Sequence, residues 1–295
     1  MTQLSATSGT FSGKPNDDTA VAQSAYRSLW GTYGLRLAAL SYLALFILIP
    51  LVVVNVEGFR QGLDAFFADV TRPIAVSAIW LTLWTAGLMA TINTVMGVLT
   101  AYVLVNYTFP GKALFNAVVD LPFAIPALVT GVMLVLLYGP QTAIGGFFEK
   151  TLNFRILFAP PGIVLALLFI SYPFVIRTVQ PVLAALDFNQ QEAAYTLGAS
   201  NWTTFRRVIL PAIRPAVVTG ALLSFARALG EFGSIIVVAG NVPMRSQTAA
   251  VYIYGQVEGG NMQAASAVSV VLLFIAFGIT VLVSVALKRG GKAHA

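Results

Sequence analysis

Three ionisable side chains lie within apolar stretches of this sequence, where a lone charge is costly and needs a partner or water: Asp120, Arg227 and Glu231. Arg227 and Glu231 are four residues apart, so they fall on one face of a predicted helix and can form an ion pair. Two interpretations stay open: the pair stabilises its helix, or its arginine binds a ligand. Gly230 and Gly233 beside the pair favour close helix packing or the movement of a gate.

Candidates for catalytic chemistry are few in this chain. It contains no Cys, which excludes disulfides and thiolate metal sites, and its one histidine, His294, is the penultimate residue. The stretch Gly9 to Lys14 reads GTFSGK, but its glycine spacing and the Pro15 that follows do not match a phosphate-binding loop. We therefore predict no catalytic residue, no metal site and no cofactor bound by this chain, and an intramembrane enzyme is disfavoured.

The composition indicates a membrane protein. Of 295 residues, 58% are hydrophobic and 9% are charged, whereas soluble domains carry roughly 25% charged residues. We predict an all-α membrane protein with about six transmembrane helices, because six apolar segments are long enough to cross roughly 30 Å of hydrocarbon. They lie near Leu37–Val56, within Ile74–Val105, and near Ala113–Tyr138, Gly162–Val179, Pro215–Ala239 and Ala264–Leu287. Pro122 and Pro126 in the third segment and Pro173 in the fourth are interpreted as tolerated kinks.

The distribution of Lys and Arg predicts the orientation. With the N-terminus inside, eleven cations fall on inside segments and five on outside loops. Those inside are Lys14, Arg27, Arg36, Lys112, Arg177, Arg206, Arg207, Arg214, Lys288, Arg289 and Lys292; those outside are Arg60, Arg72, Lys150, Arg155 and Arg245. Both termini are therefore predicted to be cytoplasmic. The net charge of +6 is explained by these loops, and nucleic-acid binding is not indicated.

This topology divides the chain into a polar N-terminal tail over residues 1–34, a transmembrane domain over 35–290 and a C-terminal tail over 291–295. A long polar loop at 187–211 lies between the fourth and fifth spans and faces the cytoplasm. Asn189 is predicted to cap a short helix with Glu192 in its first turn, and Gly198 to end it. Ser200 or Asn201 is predicted to cap a second helix that lies along the membrane surface and stops before Pro211.

Small residues in the first helix of this loop allow a close approach by another protein. Ala193, Ala194 and Gly198 leave the backbone accessible, so the helix tip can enter a groove on a partner. The alternative is an amphipathic interfacial helix that has no partner.

The same residues resemble a known family signature. Glu192-Ala193-Ala194, then Gly198, then Ile209-Leu210-Pro211 are similar to the EAA–G–I-LP motif of permease subunits of binding-protein-dependent ABC importers. The resemblance implies a type I ABC importer fold, in which this loop docks into a cleft of a cytosolic ATPase. It implies that the contacts are made by Glu192, Ala193, Ala194, Gly198 and Ala199.

Further strings resemble the sulfate/thiosulfate and molybdate permeases, and the T-type sulfate/thiosulfate subunit in particular. They are Asp120–Pro126, Pro173–Leu183, Ala226–Gly233 and Val238–Asn241. The W-type sister subunit and a molybdate or tungstate permease are the near alternatives. Within these strings we expect a translocation path or gate; its candidate residues are Asp120, Pro122, Arg227, Gly230, Glu231, Phe232 and Gly233. A guanidinium at Arg227 would fit a divalent oxyanion bidentately.

The resemblance also implies an assembly. Its members would be a second, W-type permease, a homodimeric cytosolic ATPase that holds ATP and Mg, and a periplasmic or lipid-anchored sulfate-binding protein. The location would be a bacterial inner membrane, in contact with lipids and without nucleic acid. A secondary anion transporter is the alternative from another class; it predicts a self-sufficient chain with internal repeats and paired broken helices.

Overall fold

The computed structural model describes the backbone of residues 33–186 and 188–292, and the side chains of all of these except 188 and 286–292. The predicted tails fall largely outside these ranges: residues 1–32 of the first and 293–295 of the second. Within the described ranges the secondary structure is helical and no strand is present, which confirms the all-α prediction. The chain divides after Val53 into two compact units, and all the site residues belong to the second.

The described part of the chain forms twelve helices. They are α1 (Tyr33–Gly58), α2 (Leu63–Val70), α3 (Pro73–Asn106), α4 (Lys112–Ala124), α5 (Ala127–Tyr138), α6 (Ala143–Thr151), α7 (Pro160–Ala184), α8 (Phe188–Thr196), α9 (Asn201–Leu229), α10 (Gly233–Val238), α11 (Ala249–Glu258) and α12 (Met262–Lys292).

Five of these helices are long and apolar enough to cross a membrane: α1, α3, α7, α9 and α12. The third predicted span is different. Its two halves, α4 and α5, meet at a bend of 110°, so the described part of the chain has six spans only if this pair counts as one. The interpretation of Pro126 as a kink was wrong, because Ile125 is extended and Pro126 precedes α5 as its N-cap residue. Pro122 lies inside α4 and Pro173 inside α7 without ending either helix, so both are tolerated as expected.

The fifth span also differs from its prediction, which placed it from Pro215 to Ala239 after a separate surface helix. The structure has one helix, α9, from Asn201 to Leu229, so the second helix of the cytoplasmic loop and the span are continuous. The chain then leaves the helix at Gly230 and forms the short α10 from Gly233. The boundary at Pro211 was wrong because the helix accommodates that proline.

A π-helical segment explains how α9 accommodates Pro211. Residues Phe205–Ile209 are π-helical, and the N–H of Leu210 bonds to the carbonyl of Phe205, five residues earlier. Pro211 follows at once; a proline normally clashes with the carbonyl four residues before it, and the wider π turn relieves this clash. The same arrangement occurs in α1, where the π segment Ala44–Leu48 ends just before Ile49 and Pro50.

The core of the second unit lies between α3, α7 and α9, and α7 is held tightly between the other two. A Cβ added to Gly97 of α3 would lie 2.8 Å from the Cβ of Val175, and one added to Gly220 of α9 would lie 3.0 Å from the Cα of Val175. Small residues permit this close helix packing. Toward the loop end the cluster continues through Ile209 and Ile213, which are fully buried and come from the N-terminal half of α9.

Candidate coupling loop and translocation path

Helix α8 carries the predicted coupling residues on an exposed surface. Glu192 and Ala193 are exposed, and Ala194 is half-buried. The helix begins at Phe188, so Asn189 lies within it and Glu192 is its fifth residue, outside the first turn; the predicted capping and first-turn positions were wrong by a few residues. Leu197, just beyond the helix, is 87% exposed, which is a large apolar surface to leave uncovered. The tip is therefore accessible and presents Leu197 as an uncovered apolar side chain.

Gly198 ends α8 as the sequence predicts. Its φ is +80°, a left-handed conformation that glycine adopts at little cost. The N–H of Gly198 bonds to the carbonyl of Tyr195 at 2.9 Å and the N–H of Ala199 to that of Ala194 at 3.0 Å, which satisfies carbonyls at the end of the helix. No atom lies within 4 Å of where a Cβ would stand on Gly198, so the residue serves backbone conformation and an open surface.

Ser200 begins the next helix, which confirms one of the two predicted caps. Its hydroxyl accepts a hydrogen bond from the N–H of Thr203 at 3.3 Å, and its carbonyl accepts from Thr204 at 2.9 Å. One turn later, Phe205 contacts Tyr102 of α3 edge to face, with ring centroids 5.5 Å apart. The coupling loop is thus joined to the core through the base of α9.

Arg227 and Glu231 form the predicted ion pair, with 2.8 Å between Nη1 and Oε2. The predicted geometry was wrong, because α9 ends at Leu229 and the pair crosses the helix end. The other carboxylate oxygen of Glu231 accepts hydrogen bonds from Ser234, from the N–H at 3.0 Å and from the hydroxyl at 2.9 Å. Glu231 is buried, at 2% exposure, whereas Arg227 is 38% exposed. This carboxylate therefore links the end of α9 to the start of α10.

The break between α4 and α5 is in contact with the break between α9 and α10. A Cβ added to Gly233, the first residue of α10, would lie 3.0 Å from the Cβ of Ala127, the first residue of α5. Gly233 therefore serves close packing, as expected. Gly230 does not, because nothing lies within 4 Å of its Cβ position and its φ is −94°. Phe232 between them packs on the ring of Tyr254 in α11, with centroids 4.8 Å apart.

Asp120 has a partner that its sequence context did not reveal. Arg177 of α7 bonds to both of its oxygens, Nε to Oδ1 at 2.7 Å and Nη2 to Oδ2 at 2.6 Å. The prediction counted Arg177 among the cations on the inside, although the residue falls within the predicted fourth span, and it named no partner for Asp120. Arg177 lies within the span α7, seven residues before its end, and the side chain of Asp120 is 49% exposed.

The predicted path residues thus fall into two groups. Arg227, Gly230, Glu231, Phe232 and Gly233 surround the α9–α10 break, and Asp120 joins Arg177 on α4 and α7. Pro122, two residues beyond Asp120, lines a cavity of about 570 Å³ between α3, α4 and α7. A usable signal for Arg177 was in the sequence: an arginine and a carboxylate that each lie in an apolar segment require partners.

These features define a multi-pass helical membrane protein whose broken helices carry charged pairs and whose exposed loop continues into a span. Residues 93–289 match the family model described as the binding-protein-dependent transport system inner membrane component. The chain belongs to this family, the non-catalytic permease subunits of ABC importers, whose ATPase is a separate chain.

Individual relatives are more specific. The chain is 41% identical over 244 residues to a probable sulfate transport system permease protein cysT of Chlorokybus atmophyticus, covering 81% of this chain and 85% of that one. It is 38% identical to sulfate transport system permease protein CysT of Synechocystis sp., covering 86% and 88% of the two chains. It is 40% identical to CysW of the same organism, covering 89% and 95%. The predicted resemblance to T-type sulfate permeases is confirmed.

A solved structure shows the same fold. A chain of a bacterial alginate ABC transporter in complex with an alginate pentasaccharide-bound periplasmic protein superposes with a TM-score of 0.74, covering 88% of this chain and 94% of that one. Its sequence identity is 19%, so the likeness concerns the fold alone. It confirms the predicted type I importer architecture. Broken helices, which the secondary-transporter alternative predicted, therefore occur here in an ABC permease.

Proposed function

We propose that this chain is the T-type permease of an ATP-driven importer of sulfate and thiosulfate in a bacterial inner membrane. The observation that carries the proposal is the projecting α8–Gly198 tip, built on a chain that is similar over most of its length to sulfate permeases. The tip supplies a place for an ATPase to act, and the relatives supply the substrate class.

The coupling would run from the tip of α8 into α9. A cytosolic ATPase grips the tip at Glu192, Ala193, Ala194, Gly198 and Ala199. Because α9 starts at Asn201, two residues after Ala199, a movement of the tip would pass through one short turn into the span. At the far end of α9, the Arg227–Glu231 pair transmits it to α10 and to the contact with Ala127. The gate would therefore consist of the two helix breaks.

The other subunits follow from the same proposal. A W-type permease would complete the path, since the five or six spans in the described part of this chain enclose little space and relatives of both named types exist. A homodimeric ATPase would hold ATP and Mg, and this chain would bind neither. A periplasmic or lipid-anchored protein would deliver the anion. Arg206 and Arg207, at the base of α9, would contact lipid headgroups.

Uptake of radiolabelled sulfate tests the proposal. The chain is expressed with a W-type permease, the ATPase and the binding protein in a bacterial strain that lacks its own sulfate importers. We expect uptake that needs all four chains, co-purification of the ATPase with the permeases, and competition by unlabelled thiosulfate. Uptake by this chain without the ATPase would indicate a secondary transporter, and competition by molybdate or tungstate alone would assign a different oxyanion.

A further inference from the structure

The Asp120–Arg177 contact is one of two arginine–carboxylate pairs on the described spans, and it differs from the other. Glu231 is buried and holds Ser234 as well as Arg227, so it cannot leave without breaking three contacts. Asp120 is held by Arg177 through two hydrogen bonds and is 49% exposed. The first carboxylate is buried and held by two residues, whereas the second is half exposed and bonds to Arg177.

The guanidinium of Arg177 is held independently of Asp120. Its Nη1 donates to the side-chain oxygens of Gln180 at 2.6 Å and Asn116 at 3.3 Å, and its Nη2 donates to the backbone carbonyl of Asn116 at 2.9 Å. The amide of Gln180 in turn donates to Asn116 at 3.2 Å. These bonds leave the Nε and one Nη2 hydrogen for Asp120, side by side. Such a fork fits any planar pair of anionic oxygens, including two oxygens of a tetrahedral oxyanion.

The pair is also accessible from outside the chain. The side chains of Arg177 and Asp120 are 31% and 49% exposed. Charged side chains within a membrane span do not face lipid; they face a protein interior or a water-filled space. On α4, Ala113, Ala117 and Ala124 repeat at helical spacing with Asp120, so no large side chain from these positions covers the carboxylate. This surface is therefore suited to a polar path.

The Asp120–Arg177 pair lies toward the end of the spans that is nearer the coupling loop. Arg177 is seven residues before the end of α7, or about 10 Å, and Asp120 is eight residues after the start of α4, or about 12 Å. Arg227 is 26 residues along α9 from the loop, about 39 Å away. The two arginines thus lie toward opposite ends of the spans.

We propose that Arg177 is a transient contact for the transported tetrahedral oxyanion, and that Asp120 is its built-in competitor. This inference rests on the proposed function. The anion binds the fork when Asp120 moves aside, while Asn116 and Gln180 keep the guanidinium in position. The return of Asp120 then displaces the anion. Competition by the carboxylate keeps the affinity low, as an importer needs at the side where it releases its substrate.

Direct binding tests this inference without transport. The complex of the two permeases and the ATPase is purified in detergent without the binding protein, and radiolabelled sulfate binding is measured. Asp120→Asn should raise the affinity by about tenfold or more, because apparent affinity scales with the fraction of time that the site is free. The double variant Asp120→Asn/Arg177→Gln should lose this gain. A purely structural ion pair predicts no tighter binding in Asp120→Asn, and that result would overturn the inference.

A matched control comes from another arginine–carboxylate pair. Arg155 bonds to Glu149 through Nε at 3.0 Å and Nη2 at 2.8 Å, outside the spans, with exposures of 52% and 31%. Glu149→Gln frees an arginine in the same way, and sulfate affinity should not change. An equal gain in both variants would mean that any freed arginine binds sulfate, which would overturn the assignment of Arg177.

Two further measurements concern the identity of the ligand and its release. If a lipid phosphate is the ligand, short-chain phosphatidylglycerol will bind more tightly to Asp120→Asn while sulfate will not, and this contradicts the inference. In the full four-chain system, Asp120→Asn should lower kcat for sulfate uptake while leaving or lowering KM, because release slows. Absence of sulfate uptake by the wild-type system would refute the proposed function instead.

Discussion

Gly233 and Ala127 pack so closely that a Cβ on the glycine would lie 3.0 Å from the Cβ of the alanine. These residues begin α10 and α5, so their contact joins the two places where the spans are interrupted. A contact this tight transmits any displacement of one break to the other, since protein interiors are close-packed and resist compression.

Enlarging Gly233 should therefore damage both stability and transport. We expect Gly233→Val to lower the free energy of unfolding by about 1–3 kcal/mol, the usual cost of overpacking, and to reduce sulfate uptake strongly. Thermal unfolding of the detergent-purified complex and uptake assays measure the two effects. Gly230→Ala is the control: its Cβ has open space and its φ is negative, so stability should hold or rise slightly. Similar losses in both variants would contradict the packing argument.

Removing the charge of Arg227 and removing that of Glu231 should have unequal effects on stability, because only Glu231 is buried. Arg227→Ala leaves a buried carboxylate without its counter-charge, which should cost about 3–5 kcal/mol of stability. Glu231→Gln leaves the charge on Arg227, which is partly exposed and can be hydrated, so about 1–3 kcal/mol is expected.

The double variant Arg227→Ala/Glu231→Gln removes both charges and should be more stable than Arg227→Ala alone. Thermal unfolding of the four proteins completes the cycle. We also expect Arg227→Ala to impair sulfate uptake while the ATPase still co-purifies with the permeases. Unchanged uptake kinetics would assign the pair a structural role only.

Gly198 should be needed for coupling rather than for folding. Gly198→Val places a side chain in a left-handed conformation and on the docking tip, so sulfate uptake and transport-coupled ATP hydrolysis should be lost while membrane insertion persists. Gly111→Val is a matched control, because Gly111 also has a positive φ, +85°, and open space around its Cβ. Loss of ATPase coupling in both variants would point to backbone strain instead of docking.

Thr82 makes a hydrogen bond between helices that a second threonine does not. Its hydroxyl accepts from the N–H of Ala249 at the start of α11 at 2.8 Å and donates to the carbonyl of Ala78 at 2.9 Å. Thr82→Val leaves a buried N–H without its acceptor and should cost about 1–3 kcal/mol. Thr85 is buried as well but bonds to carbonyls of its own helix, so Thr85→Val should cost clearly less. Thermal unfolding of the two variants measures these costs in stability. Equal costs would refute a stabilising role for the hydrogen bond between Thr82 and Ala249.

The sequence predicted what depends on local composition. Apolar length identified the spans, and small residues with a glycine at Gly198 predicted the tip and its left-handed end. The spacing of Arg227 and Glu231 predicted their contact even though the helix stops between them, because a carboxylate just past a helix end still reaches back one turn. Ser200 was recognisable as a cap because its hydroxyl chemistry is local.

What the sequence left undetermined depends on tertiary structure. Asp120 and Arg177 are 57 residues apart, so no local pattern in the sequence pairs them, although both fall within predicted spans. The prediction of a kink at Pro126 failed because a proline alone does not reveal whether the helix resumes in the same direction. The predicted boundary at Pro211 failed because the π turn that accommodates this proline depends on a backbone hydrogen bond that composition does not predict.

The unbroken course of α9 from Asn201 to Leu229 fixes an angular relationship between the loop and the charged pair. Each residue of an α-helix turns the chain by about 100°. One residue inserted between Ile213 and Gly220 would rotate Arg227 by that angle relative to the tip, while four would bring it back to nearly the same face. The direction in which Arg227 points around the axis of α9 is thus set by the number of helical residues that precede it. Any residue gained or lost there changes the direction in which the guanidinium points.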